Sequence, residues 1–485
     1  MRLYHATPHD TLFFRDARPM TFDGGSGGHG ARWPEPSLIF DAIHAALHRA
    51  FPRGDFILAD TWQQWHRLGR SSDRNHERQC TQRFGSLTSA GVFPALGGIL
   101  SPKWLFPCPG DVTLAREGEV CQTLLPVQSD ASQLSDLPAP LRYALGNPSP
   151  PSKKKTPPSW WSRAAWKEYL DGKPLPKDSL FKNECLFSGE WSTGIGIDFE
   201  TGTQDGTHIY SAEYLRLRKE VGFGFAATLP ERLGRPDDDC LDKLFEESQT
   251  VVVGGQRRGC TVESIKGSSL VDLLPVSSSV AGPFVKWVLL TPTVFPAIYD
   301  RDASGAQKHD RRGRPLAPHP GGWLPNWVRL RGAFMGGEFE PLADPANGLV
   351  SLLKGAGRAK AARRGVPEGT PIAARLVAAR IPKPVVLTGW KERLHLADEL
   401  AGEQGGHKAG PSSTCLAVPA GAVYYFEAEG ASEEEKLANA RALVDALSWH
   451  GALNAPDFGG AIKNRRSTLL GEKGFGLGVC GTWQF

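Results

Sequence analysis

GEKGFGLGVCGTWQF, residues 471–485, carries Gly471, Gly474, Gly476, Gly478 and Gly481 within eleven positions. Glycine surrenders more conformational entropy on folding than any other residue, so this density is tolerable only where the backbone takes positive φ or lies against something that leaves no room for Cβ atoms. A phosphate backbone is such an object. Gly476, Gly478 and Gly481 also fit the G-x-G-x-x-G spacing that opens a dinucleotide-binding helix. Only four residues follow Gly481, too few for that helix. The stretch therefore reads as a loop of exposed N–H groups feeding a short terminal strand, Val479 to Phe485, with Lys473 in the loop and Lys463, Arg465 and Arg466 ahead of it.

A length of 485 residues predicts two or three domains, and 55 glycines with 38 prolines predict long loops on a modest scaffold. Net charge is only +4, so basic binding surfaces have to be local. They occur at Lys153 to Lys155, at Arg311, Arg312 and Arg314, at Lys354 to Arg364 and at Lys463 to Arg466, several with glycine interleaved, which suits nucleic acid better than membrane. Eight cysteines include no C-x-x-C pair, and the closest two, Cys108 and Cys121, are thirteen apart. That spacing argues against a zinc ribbon or redox dithiol and fits a reducing cytoplasm; no metal and no cofactor is expected. MRLYHATPHD lacks a signal-peptide pattern and no long apolar run follows, so a soluble, cytoplasmic protein is expected.

Residues 2–14 read as a strand bent at Pro8, followed by Arg15, Asp16, Ala17, Arg18 and Pro19 and by the loop Gly24, Gly25, Ser26, Gly27, Gly28, His29, Gly30. Gly25, Gly27 and Gly30 again give G-x-G-x-x-G, but Pro34 and Pro36 separate them from the helix that a cofactor site needs. From Ser37, read as the cap, Ile39, Ala42, Ile43, Ala46, Leu47 and Ala50 share one helical face, and His44 and His48 lie opposite without the glutamate of a zinc motif. Trp191 to Phe225 predicts a β-hairpin with a long polar tip. The second half predicts strands at Phe284 to Thr291, PVVLTGW and AVYYFEAE. A helix capped by Ser432 and boxed by Glu435 follows, its face lined by Leu437, Ala440, Val444 and Leu447. Residues 60–180 and 297–380 carry no landmarks and read mostly as loops and inserted hairpins.

Strand, glycine-rich basic loop and helix open a ferredoxin-like or RNA-recognition fold. The run Asp10-Thr-Leu-Phe-Phe-Arg15-Asp16-Ala-Arg18-Pro19 resembles the N-terminal signature of a RAMP-superfamily family, subunit three of the Cmr complex, the type III-B CRISPR effector. The terminal glycine-rich loop is similar to the signature loop of that superfamily. Trp191 to Phe225, WVLLTP (287–292), Pro382 to Trp390 and Val418 to Phe426 resemble further segments of the family. VVVGGQRR (251–258) resembles its Gly-Gly-acid-x-Arg strand end, with Gln256 where a glutamate is expected. The resemblance implies an α+β chain of two tandem ferredoxin-like domains with long insertions, residues 1–275 and 276–485. It also implies a non-catalytic subunit that holds the 5′ repeat-derived tag of the CRISPR RNA and docks on the large cyclase-like subunit beside other RAMP subunits, touching target RNA only indirectly.

Carried over by position, the RNA-binding residues are Arg15, Arg18, Gly24, Gly25, Gly27, Gly28, His29, Gly254, Gly255, Arg257, Arg258, Lys473, Gly474, Gly476 and Gly478. Arginine forks and backbone N–H groups suit phosphates, and aromatic rings suit unpaired bases. Phe13 and Phe14 could stack if exposed, or else end a strand inside the core. The alternative is a metal-independent RAMP endoribonuclease acting on CRISPR repeat RNA, with His29 as the acid or base among Arg15, Arg18 and Arg32. No phosphate-binding GKS/T loop, H-E-x-x-H or nucleophile elbow occurs.

Overall fold

A computed structural model describes residues 1–15, 28–51, 84, 87–118, 120–128, 141–176, 179–198, 200–229, 239–277, 280–299, 302, 306–309, 313, 319–329, 347–354, 370–388, 390–391, 410–411, 414–449 and 470–485; for 205–210, 390–391 and 410–411 only the backbone is described. The chain is α+β, mostly antiparallel, with few helices. The first sheet is built on β1 (Arg2–Pro8), β2 (Thr88–Leu96), β3 (Lys103–Pro107), β4 (Trp160–Ser162), β5 (Leu180–Phe181), β8 (Val221–Thr228), β9 (Gln249–Val252) and β10 (Gly259–Ser264). Between them β6 (Phe187–Ile197) and β7 (Gln204–Leu217) form a separate long hairpin. The order β9-β10-β1-β8-β2-β3-β4-β5 puts β8 and β2 at the centre, with β1 beside β8. The second sheet, of β11 (Phe284–Leu289), β12 (Ala374–Arg380), β13 (Val423–Ala428) and β14 (Gly478–Thr482), runs β12-β13-β11-β14.

The two sheets repeat one plan. In β1, β2, β8 and β10, and again in β11, β12, β13 and β14, the first and third strands in chain order lie inside, flanked by the fourth and the second, every pair antiparallel. Helix α1 (Pro36–Ala50) connects the first strand to the second in the first set, α2 (Arg163–Leu170) follows β4, and α3 (Glu433–Leu447) connects the third to the fourth in the other. Helix α1 buries Ile39, Ala42, Ile43, Ala46 and Leu47 as the 3.6-residue period requires, while Ala50 is exposed. Its cap is Glu35 rather than Ser37, because Pro36 has no N–H to satisfy and sits at the first helical position. Ser432 caps α3 as expected, accepting from the Glu435 N–H. Glu435 reaches back to the Ala431 N–H, and the buried stripe is Asn439, Ala440, Leu443, Ala446 and Leu447.

A single core joins the sheets: Phe93, Trp104, Trp161 and Trp166 of the first half pack in one cluster with Val288, Val377, Tyr425 and Leu477 of the second. Inside it Asp111 is fully buried, accepting from the hydroxyls of Tyr169 at 2.8 Å and Tyr425 at 2.6 Å. Lys286, on β11, donates to the Tyr169 carbonyl at 2.8 Å and stands 3.5 Å from the Tyr169 ring centroid, a desolvated cation–π contact. Burial drives the Lys286 ammonium down to about 8 and the Asp111 carboxyl upward, and each charge opposes the shift of the other. Among the described residues no helix is long and apolar enough to cross a membrane.

Glu35 generates a pH test. Burial alone raises its carboxyl from 4.5 to about 7, so between those values the folded chain holds a proton that the unfolded chain has lost. Stability must then fall as pH rises through that window, by at most about 3 kcal/mol. Urea unfolding of Glu35→Gln between pH 4.5 and 7 should show a flatter profile than the parent and higher stability at pH 7.

Candidate nucleic-acid interface

Leu12 pairs with Leu215 of the β6–β7 hairpin, Gly28 pairs with Ala212, and Arg15 pairs with Gly30. Two N-terminal segments are thus laid against the hairpin, and the 254–258 turn closes on them through the Gly255 N–H, which donates to the Phe13 carbonyl at 2.8 Å. Phe14 is core, packed edge-on to Phe223. Phe13 is buried too, with its ring 5.6 Å from that of Tyr214. Both phenylalanines are therefore structural rather than stacking platforms.

Strand alternation gives the hairpin two chemically different faces. Glu190, Tyr214 and Arg216 share one, and Trp191 and Glu213 share the other. On the first face the Asp10 carboxylate is approached by two guanidinium groups, Arg216 at 3.0 Å and Arg258 at 3.5 Å. Glu190 holds Arg216 from the opposite side. The backbone N–H of Thr11 and both arginines keep the Asp10 carboxyl below its ordinary value. Arg258 also lies 5.1 Å above the Tyr214 ring, and the Tyr214 hydroxyl donates to Gln256 Oε1. The place of the expected glutamate is thus taken by an amide held by a tyrosine, while Arg258 is oriented by Asp10 and an aromatic face. Arg257 is exposed, and its side chain makes no hydrogen bond or ion pair among the described residues. Arg15 is exposed two residues beyond Phe13.

His29 turns to the other face, with Nδ1 3.1 Å from Glu213 Oε2 and its ring 5.0 Å from that of Trp191, edge to face. Trp191 is 52% exposed. Arg18, Gly24, Gly25 and Gly27 lie outside the described residues.

The C-terminal loop departs from expectation. Gly474, Gly476 and Gly478 are buried, and Lys473 pairs with Asp41 of α1 at 2.6 Å. The Gly474 N–H donates to the Gly471 carbonyl, the Gly476 N–H to the Pro292 carbonyl, and the Gly28 N–H to the Ser211 carbonyl. These amides are spent inside the protein. Sequence reading marks Asp10 and Gln256 only as motif positions, and it gives Tyr214 and Arg216 no role beyond the hairpin strand. The signal available was the charge alternation in YSAEYLRLR, where Glu213 and Arg216 fall on opposite faces.

A family model described as CRISPR-associated protein (Cas_Cmr3) matches residues 4–483. Among solved structures the chain is similar to one in the cryo-EM structure of the type III-B Cmr-beta bound to cognate target RNA and AMPPnP, at 15% identity and TM-score 0.33, over 61% of this chain and 70% of that one. It is also similar to a chain of the Csm1–Csm4 cassette in complex with AMPPNP, at 12% identity and TM-score 0.27 over 66% and 85%, respectively. A third likeness is to a chain of the Csm3–Csm4 subcomplex in the type III-A CRISPR-Cas interference complex, at 11% identity and TM-score 0.30 over 62% and 85%. No curated protein matches the chain.

The turn's contact with Phe13 is open to test at Gly254, where φ is +77° and a Cβ would lie 2.6 Å from the Phe13 carbonyl oxygen. Gly254→Ala should destabilise the chain by about 1–3 kcal/mol in urea unfolding. Gly267, with φ +80° and nothing within 4 Å, is the control, since Gly267→Ala carries the backbone strain without the clash and should cost less.

Proposed function

Because the chain belongs to the CRISPR-associated Cas_Cmr3 family, matched from residue 4 to residue 483, we propose that it is a non-catalytic RNA-binding subunit of a type III-B effector that holds the 5′ repeat-derived tag of the CRISPR RNA. The observation that carries this reading is the convergence of Arg216 and Arg258 on the Asp10 carboxylate, at a surface that Arg15 and Arg257 border. Two guanidinium groups aimed at one exposed carboxylate define an anion position, and a phosphate oxygen is the ligand such forks suit best. Membership of that family supports docking on the large cyclase-like subunit as part of the same reading. The repeated strand plan supports reading each sheet as a ferredoxin-like unit, a split β-α-β pair of the kind that presents RNA-binding surfaces.

The His29–Glu213 pair favours a second reading, a metal-independent endoribonuclease, since a carboxylate beside an imidazole is half of an acid–base site. Strand alternation counts against it: His29 and Glu213 lie on the hairpin face opposite Tyr214 and Arg216, away from the arginines that would hold the scissile phosphate. Cleavage of repeat RNA in EDTA that disappears in His29→Ala would favour the enzyme.

Binding of tagged guide RNA to the purified chain, titrated across salt concentrations, tests the main proposal. Arg258→Ala and Arg15→Ala should each weaken binding and lower the salt slope by about 1. Equal affinity and equal slope in both variants would refute it.

A further inference from the structure

The outer part of the β6–β7 hairpin is open to solvent. In β6 only Phe187 is buried, and every residue from Gly189 to Thr193 is exposed. A two-stranded ribbon standing by itself is marginal in water. This one nonetheless turns large apolar side chains outward: Trp191 is 52% exposed, Ile195 50% and Ile197 67%. Trp191, Thr193 and Ile195 share one face by alternation, since the register with β7 runs unbroken from Phe187 to Ile195. A single exposed apolar residue needs no explanation, but a tryptophan and an isoleucine on one face of a projecting ribbon have the character of interface anchors.

Trp191 is also held in place. Its ring meets that of His29 edge to face at 5.0 Å, and His29 Nδ1 lies 3.1 Å from Glu213 Oε2. Glu213 Oε1 in turn lies over Gly189, where a Cβ would collide with it. A ring that is already positioned loses less freedom when a partner closes on it.

Charge decides what kind of partner fits. Between Ser188 and Leu215 the sequence holds five carboxylates, Glu190, Asp198, Glu200, Asp205 and Glu213, and no lysine or arginine. Glu190 is taken by Arg216 on the opposite face, which leaves Glu213 as the carboxylate paired across the strands with Trp191. An RNA phosphate would meet repulsion along this ribbon, and a second copy of the chain would bring the same five carboxylates. A basic protein surface meets neither obstacle, because a lysine or arginine can lie over the exposed indole and pair with Glu213.

Resting on the reading of the chain as an effector subunit, and not on its RNA contact, we propose that the hairpin face of Trp191, Ile195 and Glu213 is a docking surface for another protein subunit of the effector, one that presents an apolar hollow bordered by lysine or arginine. The hairpin then has two tasks on its two faces: Arg216 belongs to the anion-binding side, and Trp191 anchors a protein neighbour on the other.

The experiment titrates the purified full-length chain against each of the other purified effector subunits, at several salt concentrations, and separately against tagged guide RNA. The parent should bind one of the subunits, more weakly as salt rises. Trp191→Ala and Ile195→Ser should each weaken that complex by about tenfold or more while leaving RNA affinity unchanged. Glu213→Gln should weaken it less and flatten its salt dependence. Urea unfolding of the variants checks the fold, and if Trp191→Ala loosens the His29 segment, Ile195→Ser carries the test. Undiminished subunit binding in Ile195→Ser and Trp191→Ala would overturn the inference, as would variants that lose RNA affinity and keep the subunit. A parent that binds none of the subunits would overturn it together with the docking part of the earlier reading. A parent that fails to bind RNA but docks through Trp191 would overturn the RNA-binding function and leave this inference standing.

Discussion

The carbonyl oxygen of Gly91 lies 2.9 Å from where a Cβ on residue 474 would sit, and Pro36 Cβ lies 3.3 Å from it. That approach fixes the relation between the two sheets. Residue 474 has φ +90°, its carbonyl accepts from Thr291 Oγ1 at 2.8 Å, and Gly476 donates to Pro292 two residues later. One short loop thereby touches β2, the start of α1 and the exit of β11 at once. Any side chain at 474 would have to push these apart. The Lys473–Asp41 pair fastens the same loop to α1 from outside.

With the sheets fixed, the position of the arginine-bearing surface follows from β1. It pairs with β8 on one side and β10 on the other, so Asp10 and the segment to Arg15 emerge beside the strand that follows the 254–258 turn. The β6–β7 hairpin leads straight into β8, and Leu12 pairs with Leu215 near its base. Three segments far apart in sequence converge because they leave β1 or enter β8 and β10 at the same end of the sheet. The charges that meet there are balanced within the chain, two arginines against Asp10 and Glu190. These carboxylates are exposed to solvent, and exposed ion pairs contribute little to folding, so breaking them costs the fold little.

Sequence reading located the hairpin, helix α1, the cap of α3 and most strands of the second half, since these follow apolar periodicity and cap chemistry that are local. It missed β2, β3, β4, β10 and β12. TSAGVFPAL contains a glycine and a proline that read as breakers, yet Gly91 sits at positive φ beside a register shift in the β2–β8 pairing, and the pairing of β2 with β3 begins only after Pro94, at Ala95. ARLVAAR is rich in good helix formers, but paired with β13 it becomes an edge strand of the second sheet, a case in which tertiary pairing outweighs propensity. PVVLTGW was expected in that sheet, whereas Val385–Leu387 pairs with Cys415–Ala417 in a ribbon of its own.

The candidate site was half legible, and the missing half has one physical cause. A glycine needed for contact with phosphate and a glycine needed for contact with protein impose the same demand on sequence, namely no Cβ. Only the destination of the N–H separates them. Gly28, Gly255, Gly474 and Gly476 all donate to carbonyls of this chain, so their glycine character records internal packing. Arginine carries the opposite information: a long, charged side chain on an exposed turn is hard to explain by packing, and Arg257, placed at φ +52° with no partner among the described residues, is explained least of all. In a chain this rich in glycine, the guanidinium groups rather than the bare backbone mark where a polyanion would be met.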